Sequence, residues 1–139
     1  GIRNENIEQS SFENATFDIV IALDVAEHVF NPARMFSDIF RTLRDGGIFL
    51  STFPIHKSQV SATLRRASLD ELGQIRHLKE RQFHGNPVSD QGSLVTYDYG
   101  YEIHQQIGKW APFSIEIVRF AAPQWGILGE FTEVVICRK

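Results

Sequence analysis

Hydrophobic positions along this chain fall into continuous runs and helically spaced stripes, and the alternation of the two predicts an architecture. Phe17-Asp18-Ile19-Val20-Ile21-Ala22-Leu23 is almost continuously apolar and rich in β-branched residues. That is the pattern of a strand buried on both faces of a parallel sheet. A helix is expected next. Asn31 suits its N-cap and Pro32 its first turn, where a missing N–H costs nothing. Ala33, Met35, Phe36, Ile39, Phe40 and Leu43 make the inward stripe, with Arg34, Asp38, Arg41 and Arg44 on the wet side. Gly46 and Gly47 end it, one of them left-handed. Ile48 to Phe53 is a second strand, closed by Pro54. Strand, helix and strand in this order predict a right-handed βαβ crossover.

Beyond Pro54 the pattern loosens. From Ile55 to about Arg81 the spacing reads as helical but more polar, and Ser68 with Glu71 fits a capping box. His84-Gly85-Asn86-Pro87 and Ser89-Asp90-Gln91-Gly92 read as turns. Tyr101 to Gly108 fits a short helix. Strands are expected at Ile115 to Phe120 and Phe131 to Cys137. The short link between those two predicts an antiparallel hairpin. The expectation is an α/β fold in which residues 1–139 form part of one domain, with a helical and loop insertion at about 54–114.

Composition narrows the function classes. A chain of 139 residues, 42% of them hydrophobic, can build one real core. A net charge of −3 with no basic stripe argues against nucleic acid as partner. No apolar run approaches the roughly 18 residues a membrane span needs. The single cysteine, Cys137, has no internal disulfide partner and sits in an apolar run as a small hydrophobe, which fits a reducing cytoplasm.

Several segments taken together carry a resemblance. They are Asn6-Ile7-Glu8-Gln9-Ser10-Ser11-Phe12, Phe17-Asp18-Ile19-Val20, Asp24-Val25-Ala26-Glu27-His28-Val29 and Leu43-Arg44-Asp45-Gly46-Gly47-Ile48-Phe49. This series is similar to class I, Rossmann-like S-adenosylmethionine-dependent methyltransferases of the type 11 and type 12 group. The likeness is dense over residues 4–53 and loose from 54 to 130. In that family the sheet has the order 3-2-1-4-5-7-6, and the resemblance maps this chain onto strands 4, 5, 6 and 7, with strands 1 to 3 missing. The glycine-rich turn after strand 1 and the acidic residue after strand 2 have no counterpart in the chain.

The resemblance implies S-adenosylmethionine as cofactor and methyl transfer to a small-molecule, lipid-linked or sugar acceptor in the intact protein. This stretch alone is expected to be inactive and to bind the cofactor weakly or not at all. A non-catalytic remnant or dimerisation module of the same fold is the alternative. By position, Asn6 and Ile7 would meet the adenine, while Leu23 and Asp24, beyond the carboxyl end of a strand, would meet the methionine portion. His28 would line the cofactor or acceptor pocket, and Asp24 and His28 are the candidate proton carriers where an acceptor must lose a proton. Glu27 and His28 fit a helix opening equally well.

The Asp24-x-x-Glu27-His28 spacing also resembles the metal-binding segment of some ubiquinone-pathway O-methyltransferases. Relatives without a metal share it, and no metal is expected. Lys57, Arg65, Arg66, Arg76, Lys79 and Arg81 suit either a lid for an anionic acceptor or an ordinary solvated face, more usually the latter. Trp110 and Trp125 are expected in core or hairpin packing. With strand 1 missing, Phe17 to Leu23 would offer an open apolar edge, so a homodimer or strand swap through it is expected.

Overall fold

A computed structural model describes residues 2–56, 62–86 and 89–139. Strand β1 (Phe17–Leu23) leads through a single 3₁₀ turn at Ala26–His28 into helix α1 (Pro32–Thr42), which returns directly into β2 (Leu43–Thr52). The two strands are parallel, so the expected crossover is present. The Asn31 side chain accepts a hydrogen bond from the Arg34 amide at 3.1 Å, and Pro32 occupies the first turn. Met35, Phe36 and Ile39 are buried along the inward stripe.

Helix α1 stops at Thr42, earlier than the glycine pair suggests. Leu43 is already extended and pairs with Phe17, whereas the next pair is Ile19 with Ile48. Arg44 to Gly47 therefore form a bulge at the start of β2, with Gly46 at φ +81°. The glycines serve that bulge and not a helix cap. Gly47 is needed for space: a Cβ there would lie 2.8 Å from the Arg44 carbonyl oxygen and 3.2 Å from that of Asp18.

The chain ends as expected in an antiparallel hairpin. Helix α2 spans Ile103–Trp110, slightly later than Tyr101 to Gly108, and precedes the last long strands, β9 (Ser114–Arg119) and β10 (Glu133–Arg138). The main sheet has the order β1-β2-β10-β9, and β10 runs antiparallel to both its neighbours. Helices α1 and α2 cover one face, where Phe36 meets Phe49 and Trp110, each with ring centroids 5.7 Å apart. Phe113 packs on Phe40 at 5.0 Å. Buried Cys137 faces this core, and burial pushes its thiol up to about 12. Trp125 differs from expectation. It is 79% exposed, on a 3₁₀ turn in the loop between β9 and β10.

Between residues 62 and 98 of the expected insertion no described residue is helical, and α2 is the helical part described within it. Its described residues before α2 form three small antiparallel ladders: β3 (Leu64–Arg65) with β8 (Tyr97–Asp98), β4 (Ala67–Leu69) with β5 (Ile75–His77), and β6 (Phe83–His84) with β7 (Ser93–Leu94). Ser68 lies inside β4 and caps nothing. Asp70 takes over locally, its Oδ1 accepting from the Leu72 and Gln74 amides at 2.9 and 2.8 Å. That competition turns the backbone away from a helix. The apolar residues at helical spacing also find no surface to pack on, since Leu72 is 83% exposed. His84 is a strand residue, while Ser89 to Gly92 do form a turn. Lys57 and Pro87 lie outside the described residues.

Strand β1 departs from the reading of a strand buried on both faces. It is an edge strand among the described residues, and Ile19, Ile21 and Leu23 are each about 60% exposed. They share a face with Ile48, Leu50 and Thr52 on β2, and through the register with Ile136 on β10. No described helix covers that face.

Candidate functional site

Parallel strands in a βαβ unit direct their carboxyl ends, and the loops that follow, to one edge of the sheet. Leu23 ends β1 exposed, and Asp24 adopts φ +53°, a left-handed conformation that Asp tolerates better than most residues. Its amide donates to the Thr52 carbonyl at 2.8 Å and its Oδ1 accepts from the Thr52 hydroxyl at 3.1 Å. The two strand ends are thereby tied together.

The turn that follows is held by the insertion. The Thr96 amide donates to the Glu27 carbonyl at 2.7 Å, and the Tyr99 hydroxyl donates to the Ala26 carbonyl at 2.8 Å. Tyr99 is fully buried, and burial raises its phenol well above the usual range. His28 Nδ1 lies 2.8 Å from the Leu94 carbonyl oxygen. A carbonyl only accepts, so Nδ1 carries the hydrogen and a neutral His28 ring keeps its lone pair on Nε2.

Glu27 is 1% exposed, and neither carboxylate oxygen has a hydrogen-bond partner among the described residues. Two imidazole nitrogens lie beside it, His28 Nε2 at 3.8 Å and His84 Nδ1 at 3.6 Å. Burial raises its pKa above the ordinary carboxylate value, with its own backbone amide, at less than good hydrogen-bond geometry, and then the two imidazoles pulling the other way. Glu27, His28 and His84 thus form one group whose ligand atoms lie within 4.8 Å of one another. Asp24 is not part of it.

Asn6 and Ile7 precede β1 in the chain. Asn6 is exposed, and its side-chain oxygen accepts from the Glu8 amide at 3.0 Å in a local turn. Ile7 packs at the edge of the core and lines, with Phe12, Phe17, Ile19 and Val20, a cleft of about 360 Å³ beside β1. Two of the insertion's described basic residues are tied to neighbours. Arg66 pairs with buried Asp98 at 2.6 Å, and Arg65 lies over the Tyr97 ring. The sequence marked His84 only as part of a turn and Arg66 only as part of a basic stretch, and neither pattern joins them to Glu27 or Asp98. Paired residues on either side of a turn-rich stretch, Phe83-His84 and Ser93-Leu94, were the hairpin signal that could have found the first.

Comparison with known proteins is consistent with this geometry. Residues 1–51 match the profile of a family described as methyltransferase domain. A "probable S-adenosylmethionine-dependent methyltransferase" of Mycolicibacterium smegmatis is 38% identical over 53 residues, which is 38% of this chain and 21% of that protein. A SAM-dependent methyltransferase of Methanosarcina mazei superposes with a TM-score of 0.59 at 13% identity, over 97% of this chain and 65% of that one. An S-adenosylmethionine-dependent methyltransferase of Mesorhizobium loti gives 0.59 at 16% identity, covering 96% and 67%. The fold is that of the class I methyltransferases. A third structure of this kind is the Burkholderia thailandensis 1,6-didemethyltoxoflavin-N1-methyltransferase, with S-adenosylhomocysteine bound. It superposes at a TM-score of 0.54 with 15% identity, over 96% of this chain and 48% of that one. This methyltransferase-like chain therefore spans about two thirds or less of these relatives. No described helix is long and apolar enough to cross a membrane.

Proposed function

We propose that this chain is the second half of a class I methyltransferase domain that transfers a methyl group from S-adenosylmethionine to a small-molecule, lipid-linked or sugar acceptor. The observation that carries the reading is the sheet: two parallel strands followed by an antiparallel terminal pair inserted in the order β1-β2-β10-β9. A generic nucleotide-binding α/β fold would continue with parallel βα units instead.

In this reading β1, β2, β9 and β10 are strands 4, 5, 6 and 7, and a further segment of the intact protein supplies strands 1 to 3. Those strands would pair with the free edge of β1 and cover Ile19, Ile21 and Leu23. Two features at the strand ends support this reading. Leu23 is exposed there and the left-handed turn at Asp24 holds the backbone open. The cleft at Ile7 lies on the side where strand 1 would add. Asn6 and Ile7 would hold the adenine end, and Leu23 and Asp24 the methionine end. The cofactor brings an activated methyl group with a good leaving group, so the protein has mainly to align the acceptor and exclude water. Asp24, or His28 through Nε2 when no ion is held there, would take the proton from an acceptor that must lose one. The ladders of the insertion roof this edge and would set acceptor choice. A cytoplasmic location fits the unpaired cysteine.

The test uses the complete protein with S-adenosylmethionine carrying a labelled methyl group and a panel of small-molecule, lipid and sugar acceptors. Transfer of label, reduced at least tenfold by Asp24→Ala, supports the reading. The 139-residue chain alone should bind S-adenosylhomocysteine weakly or not at all by calorimetry. Failure of the complete protein both to bind S-adenosylhomocysteine and to transfer label would leave only a non-catalytic remnant or dimerisation module.

A further inference from the structure

The geometry points to a divalent transition-metal site formed by Glu27, His28 and His84. This proposal goes beyond methyl transfer and does not depend on it. It rests first on an unexplained cost. A carboxylate as buried as Glu27 ordinarily has its oxygens satisfied by donors, and among the described residues neither is. The groups nearest to it are two imidazole nitrogens, at 3.6 and 3.8 Å, slightly beyond hydrogen-bond reach. Those spacings are close to the roughly 3.4 Å that separates donor atoms about 2.1 Å from a tetrahedral ion. A small inward movement of the partly exposed His84 ring, with His28 pivoting on its Leu94 bond, would give all three a common partner.

The second observation is the support around the ligands. His28 Nδ1 is committed to the Leu94 carbonyl at 2.8 Å, which fixes the ring and turns the Nε2 lone pair toward Glu27. A histidine ligand usually has its second nitrogen held in this way. Leu94 sits in β7 and His84 in β6, and the register pairs Phe83 with Leu94 and His84 with Ser93. One small hairpin therefore supplies both the third ligand and the group that orients the second. Thr96, just beyond β7, anchors the Glu27 carbonyl in turn.

Two imidazoles and one carboxylate suit zinc, cobalt, manganese or iron in the divalent state better than calcium or magnesium, which prefer all-oxygen shells. His84 is about a third exposed, so an ion can enter from the solvent side and keep a position open for water or a ligand. Asp24, which the sequence spacing would have recruited, has its Oδ1 engaged by Thr52 and lies outside the group.

The test is titration of the purified chain with Co²⁺, followed by its visible absorption bands, with Zn²⁺ as competitor. One equivalent is expected to bind and to be displaced by zinc. His84→Ala, on a partly exposed ladder, should weaken binding at least tenfold, as should Glu27→Gln, whereas Asp24→Asn should leave it within twofold. His28→Gln serves as a second ligand variant, and circular dichroism checks that each variant is folded. No cobalt spectrum with the folded chain overturns the proposal, as does binding that His84→Ala and His28→Gln both leave intact. Loss on Asp24→Asn with retention in His84→Ala would also overturn it, by placing the ion on the sequence segment alone.

Discussion

The hydroxyl of Thr96 lies 2.5 Å from the carbonyl oxygen of Val29, across 67 positions of sequence. The same hydroxyl is 2.9 Å from the Glu27 carbonyl, so its single hydrogen is shared between two acceptors that close the turn. Thr96 is fully buried. Thr96→Val keeps the shape and strands the Val29 carbonyl, while that of Glu27 keeps the Thr96 amide, at a cost of about 1–3 kcal/mol. Urea denaturation should show that loss, and an unchanged midpoint would mean that the insertion does not hold the turn.

The sheet was legible in the sequence because its signals were redundant. The β1 run, the Asn31-Pro32 start and the stripe through Ile39 each specify the same crossover, and the final apolar runs specify the hairpin. The insertion was not legible, because apolar residues three apart, Leu69, Leu72 and Ile75, mimic a helical stripe that has nothing to pack against. The candidate site was half visible. Asp24, Glu27 and His28 sit in one segment, but His84 reaches them only through the ladder of β6 with β7, a contact that no local pattern encodes.

The two glycines at the start of β2 should separate cleanly. Gly46 has open space around it, so Gly46→Ala meets only the left-handed backbone cost, about 1–2 kcal/mol. At Gly47 a methyl group meets two backbone carbonyl oxygens that cannot swing aside, and the bulge must move. Gly47→Ala should cost more, about 2–4 kcal/mol. Thermal unfolding of the two variants side by side gives the order, and the reverse order would contradict the bulge geometry.

Asp38 should govern the acid limb of stability. Burial works against its ionised form, but hydrogen bonds from the Ser10 hydroxyl and amide and from Arg41 outweigh that and hold its carboxyl below the usual range. A carboxylate lowered in the fold contributes stability that is present above its unfolded value of about 3.9 and disappears as pH falls through the folded value. Asp38→Asn should therefore cost about 1–3 kcal/mol at pH 7. The gap should close as the pH falls below about 4. Denaturation at several pH values measures it, and a gap that persists at low pH would assign the effect to packing.

The free edge of β1 sets the last prediction. Ile21 is 61% exposed between Ile19 at 58% and Leu23 at 61%, and across the register it continues into Leu50 and then Ile136. A flat apolar face beside an unpaired strand edge is the surface on which chains associate. Burying one isoleucine there contributes about 1.5–3 kcal/mol, enough to shift a dissociation constant tenfold or more. This chain by itself should form a homodimer or strand-swapped pair, and Ile21→Lys should return it to monomer by placing a charge at the centre of the face. Light scattering after size exclusion reads both states. A monomeric wild-type chain at high concentration would show that the face tolerates water, and with that the inference that other strands cover it in the complete protein would lose its main physical support.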